Sequence, residues 1–418
     1  TYAFSNIRSN FRLNTMKRNK IVISGIGCAL IDHIYNNISF EDDSFKKFLS
    51  VETGDGGLVP GKLVFKEELE TFASEPYQEI LDQITAGCNT MELNLGGPSL
   101  VALIHAVQIL DPNEFDINFY GITGKDEAAS QIMRLIKKTP LDISNYKMEG
   151  TLNTPFTDVF SDPLYDHGHG ERTFVNSIGA AGELSSAHIP DEFFTADVVC
   201  FGGTALVPQI HDDLSDLLRR VKKIGKKTVV NTVFDFRNEK KYPDRPWPLV
   251  DHVSDFKLID VLILDCEEAL RISGTKVLDK AALYFKDAGV SAFLITNGSK
   301  YIIGYSDGKL FGKQDIAKYP VSERIVQELK NNPRLKGDTT GCGDNFVGGF
   351  IASLAQQLKS ENKEPLSFIQ AISWAAASGG FACFHVGGTY YEASRGEKLA
   401  KIKDYQLAYS NQTGNTLQ

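Results

Sequence analysis

The stretch Asp338-Thr339-Thr340-Gly341-Cys342-Gly343-Asp344-Asn345-Phe346 carries the densest chemical information in the chain. Two glycines flank one small residue, and an acid follows at once. Beyond it Phe346, Phe350, Leu354 and Leu358 recur at every fourth position, with Val347 and Ile351 on the same face, which predicts a helix. The glycine turn therefore stands at a helix N-terminus. Free backbone N–H groups and the positive end of the dipole can hold a phosphate or a developing oxyanion there. Glycines allow close approach because no Cβ intervenes. Asp344 stands beside that anion site, within reach of a hydroxyl nucleophile whose proton it can accept, as phosphoryl transfer requires. The dipole should keep Asp344 ionised, so that it takes the proton late. A helix capped by an acid after a glycine turn has the same local pattern, so the rest of the chain must decide.

The elements that would position this turn alternate along the chain. Short, nearly continuous apolar runs occur at Ile21-Val22-Ile23, Ile117 to Tyr120, Val198 to Phe201, Thr228-Val229-Val230, Val261 to Leu264 and Phe293-Leu294-Ile295. Such runs are how strands buried on both faces of a parallel sheet read. Helix-length segments lie between them: Ser99 to Leu110, Asp126 to Lys138, Ile210 to Ile224 and Leu278 to Ala288. The alternation implies right-handed βαβ units and a doubly wound α/β core, mostly parallel and flanked by helices. Four further strand-like segments, about 32–38, 91–95, 156–160 and 172–178, break the rhythm and could form a small second sheet. The Pro-rich, charged stretch from Phe234 to Phe256 reads as a loop.

Composition sets the bounds. The 418 residues allow one large α/β domain or two to three ordinary ones. Apolar residues at 42% and charged residues at 23% suit a packed core. A net charge of -9 argues against broad nucleic-acid binding. Six cysteines without a CxxC pair indicate neither a zinc ribbon nor a disulfide framework, and a reducing cytoplasm fits best. No apolar run approaches the ~18 residues that span a bilayer. Residues 1–16 lack an apolar segment and read as a disordered tail ahead of a single domain at 17–418.

The glycine turn resembles the second signature of the ribokinase-like (PfkB-type) carbohydrate and nucleoside kinases, D-T-x-G-A-G-D, with Cys342 at the usual Ala. The resemblance runs in order over about residues 20–395. Gly25 to Asp32 resembles the family's first strand, ending in the Asp that binds substrate hydroxyls; a carboxylate can accept bonds from two vicinal hydroxyls. Gly96-Gly97 resembles the Gly-Gly motif near the acceptor, with Val101 at the usual Asn. Gly121 to Asp126 is similar to the G-x-x-G-x-D element, and Asp126 there is a helix cap. Arg172, in Gly170 to Phe174, matches the lid segment and could reach the substrate. Asp265 and Glu268 stand at the N-x-x-E motif, which implies magnesium held largely through water. Thr296 and Gly298 resemble the nucleotide loop, joined by Thr340. Ala375 to Gly380 and His385 to Gly388 match the region that walls the adenine and, in some members, holds a monovalent cation.

The resemblance implies a ribokinase-like fold with a β-sheet lid that excludes water. It implies transfer of the γ-phosphate of ATP to a hydroxyl of a small sugar-like acceptor. Asp344 would be the general base, and the amides of Gly341, Cys342 and Gly343 the anion hole. Asp32, Gly96, Gly97 and Arg172 would hold the acceptor. An adenosine-like nucleoside acceptor is the rival within the family, and a silent ligand sensor the rival of another class; a sensor needs neither Asp344 nor the glycine turn. The implied partners are a small-molecule acceptor, no nucleic acid and no membrane, in a monomer or a homodimer formed through the lid. Two decoys fall away. Gly56 to Leu63 nearly spells a P-loop but lacks the final hydroxyl, and His167-Gly168-His169 lacks spaced carboxylate or Cys partners for a metal.

Overall fold

The structure is a computed structural model that describes residues 20–52, 54–88, 91–168, 170–360 and 365–414. The tail expected at 1–16 and His169 lie outside the described residues. In chain order the strands are β1 (Ile21–Ile26), β2 (Leu30–Asn36), β3 (Leu63–Phe65), β4 (Met91–Gly96), β5 (Phe115–Ile122), β6 (Tyr146–Lys147) and β7 (Phe156–Asp162), then β8 (Glu171–Ser177), β9 (Val198–Gly202), β10 (Lys227–Asn231), β11 (Val261–Asp265), β12 (Ala292–Asn297), β13 (Tyr301–Ser306) and β14 (Gln314–Tyr319).

A nine-stranded sheet runs in the order β14-β13-β12-β11-β10-β9-β1-β5-β6. It is parallel from β12 to β6, and β13 adds an antiparallel hairpin at one edge. Side chains alternate across it. Ile23, Cys200, Val229, Ile263 and Leu294 face helices Pro98–Ile109, Cys342–Lys359 and Phe368–Ala382. Ile26, Phe201, Val230, Leu262 and Ile295 face helices Leu214–Lys223, Cys266–Ser273 and Leu278–Ala288. This is the expected doubly wound core. Because β1 sits between β9 and β5, the chain leaves it in both directions, and the crevice at the carboxyl ends of these strands is the place for a ligand.

The second sheet has five strands, β3-β8-β7-β2-β4, one more than expected. The extra strand begins at Leu63, the residue that spoiled the P-loop pattern. There Gly61 and Lys62 precede a strand, whereas a P-loop follows one. The insertion before Met91 folds into helices Lys66–Ala73 and Tyr77–Ile84. Phe40, Phe45, Phe48, Leu69 and Ile80 of this segment pack on Phe160 and Val175, covering one face of the lid.

Two other expectations need correction. The stretch from Phe234 to Phe256 is not all loop: Asp235 accepts the Asn238 N–H at 3.0 Å and caps helix Phe236–Lys241, which stops before Pro243. A 3₁₀ turn, Val253–Leu258, follows. The helix expected from Ile210 to Ile224 is two, Pro208–Asp212 and Leu214–Lys223, broken at Asp213 where ψ is 3°. Among the described residues no helix is long and apolar enough to cross a membrane.

Candidate active site

Asp32 lies in the middle of β2, directly opposite Thr157 of β7, which itself faces Asn176 of β8. These residues share the lid face away from the insertion. Asp32 is 5% exposed and accepts a hydrogen bond from Thr157. Burial pushes its carboxyl up to about 8, and the nearby Asp344 and Asp338 add to the rise. The Gly-Gly motif ends β4 against it: a Cβ on Gly96 would come 2.7 Å from Asp32 Oδ2. Gly97, at φ +103°, opens helix Pro98–Ile109 with its Cα so close to Cys28 that a Cβ would stand 2.1 Å from that carbonyl oxygen. Only glycine fits both demands.

Across the crevice, Gly341 adopts φ +73° and caps helix Cys342–Lys359. A Cβ there would stand 2.4 Å from Gly388 Cα, so the turn is clamped beneath the loop His385 to Gly388. The Cys342 N–H contacts Thr339 O at 3.3 Å. The N–H groups of Gly343 and Asp344 belong to the first turn and have no intrahelical acceptor. Gly343 faces open space. Asp344 is half-buried, and burial lifts its carboxyl to about 6, so desolvation outweighs the helix dipole while leaving the group ionised at neutral pH.

Arg172, on β8, spans the crevice from the lid. Its guanidinium donates to Asp338 Oδ2 at 3.1 Å, to Thr339 Oγ1 at 3.0 Å and to Thr340 Oγ1. Thr340 also donates its backbone N–H to Asp338 Oδ1 at 2.9 Å. Arg172 therefore grips the glycine turn, whereas the sequence expectation aimed it at the acceptor.

Glu268 and Asp265 form a reciprocal cap at the start of helix Cys266–Ser273. Thr232 Oγ1 at 2.6 Å and Asp265 N at 3.0 Å both donate to Glu268 Oε2. Burial pushes Glu268 up to about 8, with Asp265 and Asp344 adding to it, and burial also raises Asp265. Unbalanced negative charge of this kind is what a bound divalent cation relieves, so these two acids fit magnesium. Among the described residues no group of three or more His, Cys, Asp and Glu converges on a metal, so the ion would be shared with phosphates and water. Thr296, at the end of β12, pairs with Asp265, and Gly298 forms the tight turn into β13. The residues expected to form a nucleotide loop thus adjoin the acids.

Other site-shaping residues went unread in the sequence. Buried Asn345 donates from Nδ2 to Gly341 O and Gly388 O, both at 2.8 Å. Its Oδ1 accepts from His105 Nδ1 at 2.7 Å and from Lys398 Nζ at 3.2 Å. Lys398 is 1% exposed, and burial lowers its ammonium to about 7. Asn94 donates to Val386 O at 3.0 Å and ties β4 to the loop over the turn. A buried Asn in an apolar helix was a usable signal; Lys398 gave none, since it sits in a charged helix.

A family model described as "pfkB family carbohydrate kinase" matches residues 72–393. A cytidine kinase of Thermococcus kodakarensis is 28% identical over 216 residues, which is 52% of this chain and 66% of that protein, just under two thirds of its length. The adenosine kinase of Schistosoma mansoni, in complex with 2-fluoroadenosine, superposes with a TM-score of 0.66 at 18% identity, covering 89% of this chain and 97% of that one. A Rhizobium etli structure titled "probable sugar kinase protein" gives 0.63 at 16% identity, covering 95% and 99%. At these identities the structures speak for the fold, which is the ribokinase-like one.

Proposed function

Because the chain belongs to the pfkB family of carbohydrate kinases, we propose that it transfers the γ-phosphoryl group of ATP to a hydroxyl of a nucleoside. The observation that carries the transfer is the position of Asp344. Its charge acts both on Asp32 of the lid and on Glu268 beside the proposed nucleotide turn, so it lies close enough to influence both half-sites. Asp32 and the Gly96-Gly97 turn hold the acceptor, and Asp344 accepts its proton. The N–H groups of the Gly341-to-Asp344 turn stabilise the transferred charge. Thr296, Gly298 and Thr340 line the nucleotide side. Magnesium, held from Glu268 and Asp265, neutralises phosphate charge when bound.

A nucleoside replaces the sugar-like acceptor expected first. A cavity of about 770 Å³ opens beside the lid, lined by the apolar Phe65, Leu152, Ile178, Leu206, Pro208 and Phe236 and by the charged Glu67, Glu68, Arg237, Lys240 and Lys241. Phe65 and Phe236 stand edge to face, 5.5 Å between centroids. An apolar, aromatic wall of this kind suits a flat base more than a second set of hydroxyls. The cytidine and adenosine kinases among the similar proteins favour the same reading. Since the insertion already covers the outer face of the lid, the same reading takes the chain as a monomer over a lid-to-lid dimer.

ATP consumption should be measured against adenosine, cytidine, ribose and fructose, with Asp344→Asn as control. A nucleoside should be turned over best, and the variant should lose at least ~10²-fold in kcat, the usual contribution of a general base. Turnover of sugars alone would reject the acceptor assignment. An Asn variant as active as the parent would reject the role of Asp344.

A further inference from the structure

Cys342 Sγ lies 3.5 Å from Cys383 Sγ, across the joint between the first residue of helix Cys342–Lys359 and the residue that ends helix Phe368–Ala382. Among the described residues no cysteine is in a disulfide, and both members of this pair are half-buried. Cys28 and Cys200 are fully packed away, and burial pushes the Cys28 thiol up to about 12. We propose that Cys342 and Cys383 are a redox modification site, closing a reversible disulfide that disables the phosphoryl-binding turn.

The pair adjoins the proposed anion site, with only Cys342 part of it. Cys342 supplies the middle residue of the glycine turn. Cys383 O accepts the Gly337 N–H at 2.8 Å, so both ends of the segment from Gly337 to Cys342 meet at this joint. The two sulfurs share one contact in which either thiol can be the donor, so either can attack and the other resolve.

The chemistry balances with a hydroperoxide as oxidant. One of the two, as thiolate, attacks the O–O bond and takes one oxygen as a sulfenic acid, releasing the alcohol once a proton is supplied. The other thiol then gives up its proton, attacks the sulfenic sulfur and expels water as the S–S bond forms. Two thiols are oxidised by two electrons, and the peroxide is reduced to alcohol and water. Bonding brings the sulfurs to about 2.0 Å, so the contact must shorten by more than an ångström. A displacement of about 1 Å in a catalytic frame can cost roughly 10²-fold. The regulatory consequence rests on the turn being the phosphoryl site.

The full chain should be treated with hydrogen peroxide or with diamide, which takes the two thiol hydrogens itself. Intact mass, peptide mapping and activity should be read before and after dithiothreitol. The expected result is a Cys342–Cys383 cross-linked peptide, loss of two hydrogens, and a fall in kcat of about 10²-fold that dithiothreitol reverses. The Cys383→Ser variant should keep its basal activity and ignore diamide. Absence of the cross-linked peptide after complete oxidation overturns the site, and a cross-linked chain of undiminished activity overturns the switch. The mass readout does not need turnover. A chain that cross-links yet phosphorylates no acceptor overturns the kinase reading and leaves the disulfide standing.

Discussion

Asp344 is asked to be a base while half-buried, and its environment sets where it can act. Burial holds its carboxyl at about 6. A raised carboxylate is protonated below that value and ionised above it. The rate constant kcat/KM should therefore rise tenfold per unit as pH increases towards 6, then level off. A profile flat between pH 5 and 8 would remove Asp344 from the proton transfer. The turn carrying this residue was legible because its pattern is local: the glycines, the acid and the helix behind them are contiguous. Asn345 is the next residue, yet its role depends on Lys398, 53 positions away. No short window of sequence contains that contact.

At the level of elements, two pieces built far apart must close on each other. The lid reaches the glycine turn through Arg172, whose fork spans Asp338, Thr339 and Thr340. Hydrogen bonds to a charged group contribute about 1.5–3 kcal/mol each. Arg172→Ala should therefore lower kcat/KM roughly 10- to 100-fold, and Arg172→Lys should recover only part, since an ammonium cannot reproduce the fork. Amide hydrogen exchange should accelerate at 338–344 as well as in β8. Unchanged exchange at the turn would show that Arg172 is no strut. Helices such as Leu278–Ala288 could be read residue by residue from periodicity. Strand β3 could not, because its three residues are too few for a pattern, and it exists by pairing with β8.

For the whole molecule, the acids that make the site work against the fold. Asp32 has its carboxyl raised to about 8, mainly by burial, from an unfolded value near ~4. Between these values the folded state binds more protons than the unfolded state. The contribution of Asp32 is thus full below pH ~4 and is lost as pH rises through about 8. Asp32→Asn removes this slope. The melting temperature of the variant relative to the parent should increase by several degrees between pH 5 and 9, in the absence of nucleotide. A constant difference across that range would mean that Asp32 is not buried in charged form. The net charge of -9 acts in the same sense, so under the proposed function backbone amides and magnesium would have to hold ATP against an unfavourable field.

The sequence by itself determined the fold class and the order of the motifs, and it singled out Asp344 as the acid proposed to react. Hydrophobic period, glycine turns and helix starts are short-range properties, written within a few residues. The tertiary structure alone decided what those motifs meet. It brought Asp344 within electrostatic reach of both Asp32 and Glu268, drew Arg172 onto the turn, raised an aromatic wall from the segments around Phe65 and Phe236, and left two thiols in contact across 41 residues of chain. These are long-range contacts, fixed only when two sheets and their helices pack, and the choice of acceptor and the redox pair both depend on them.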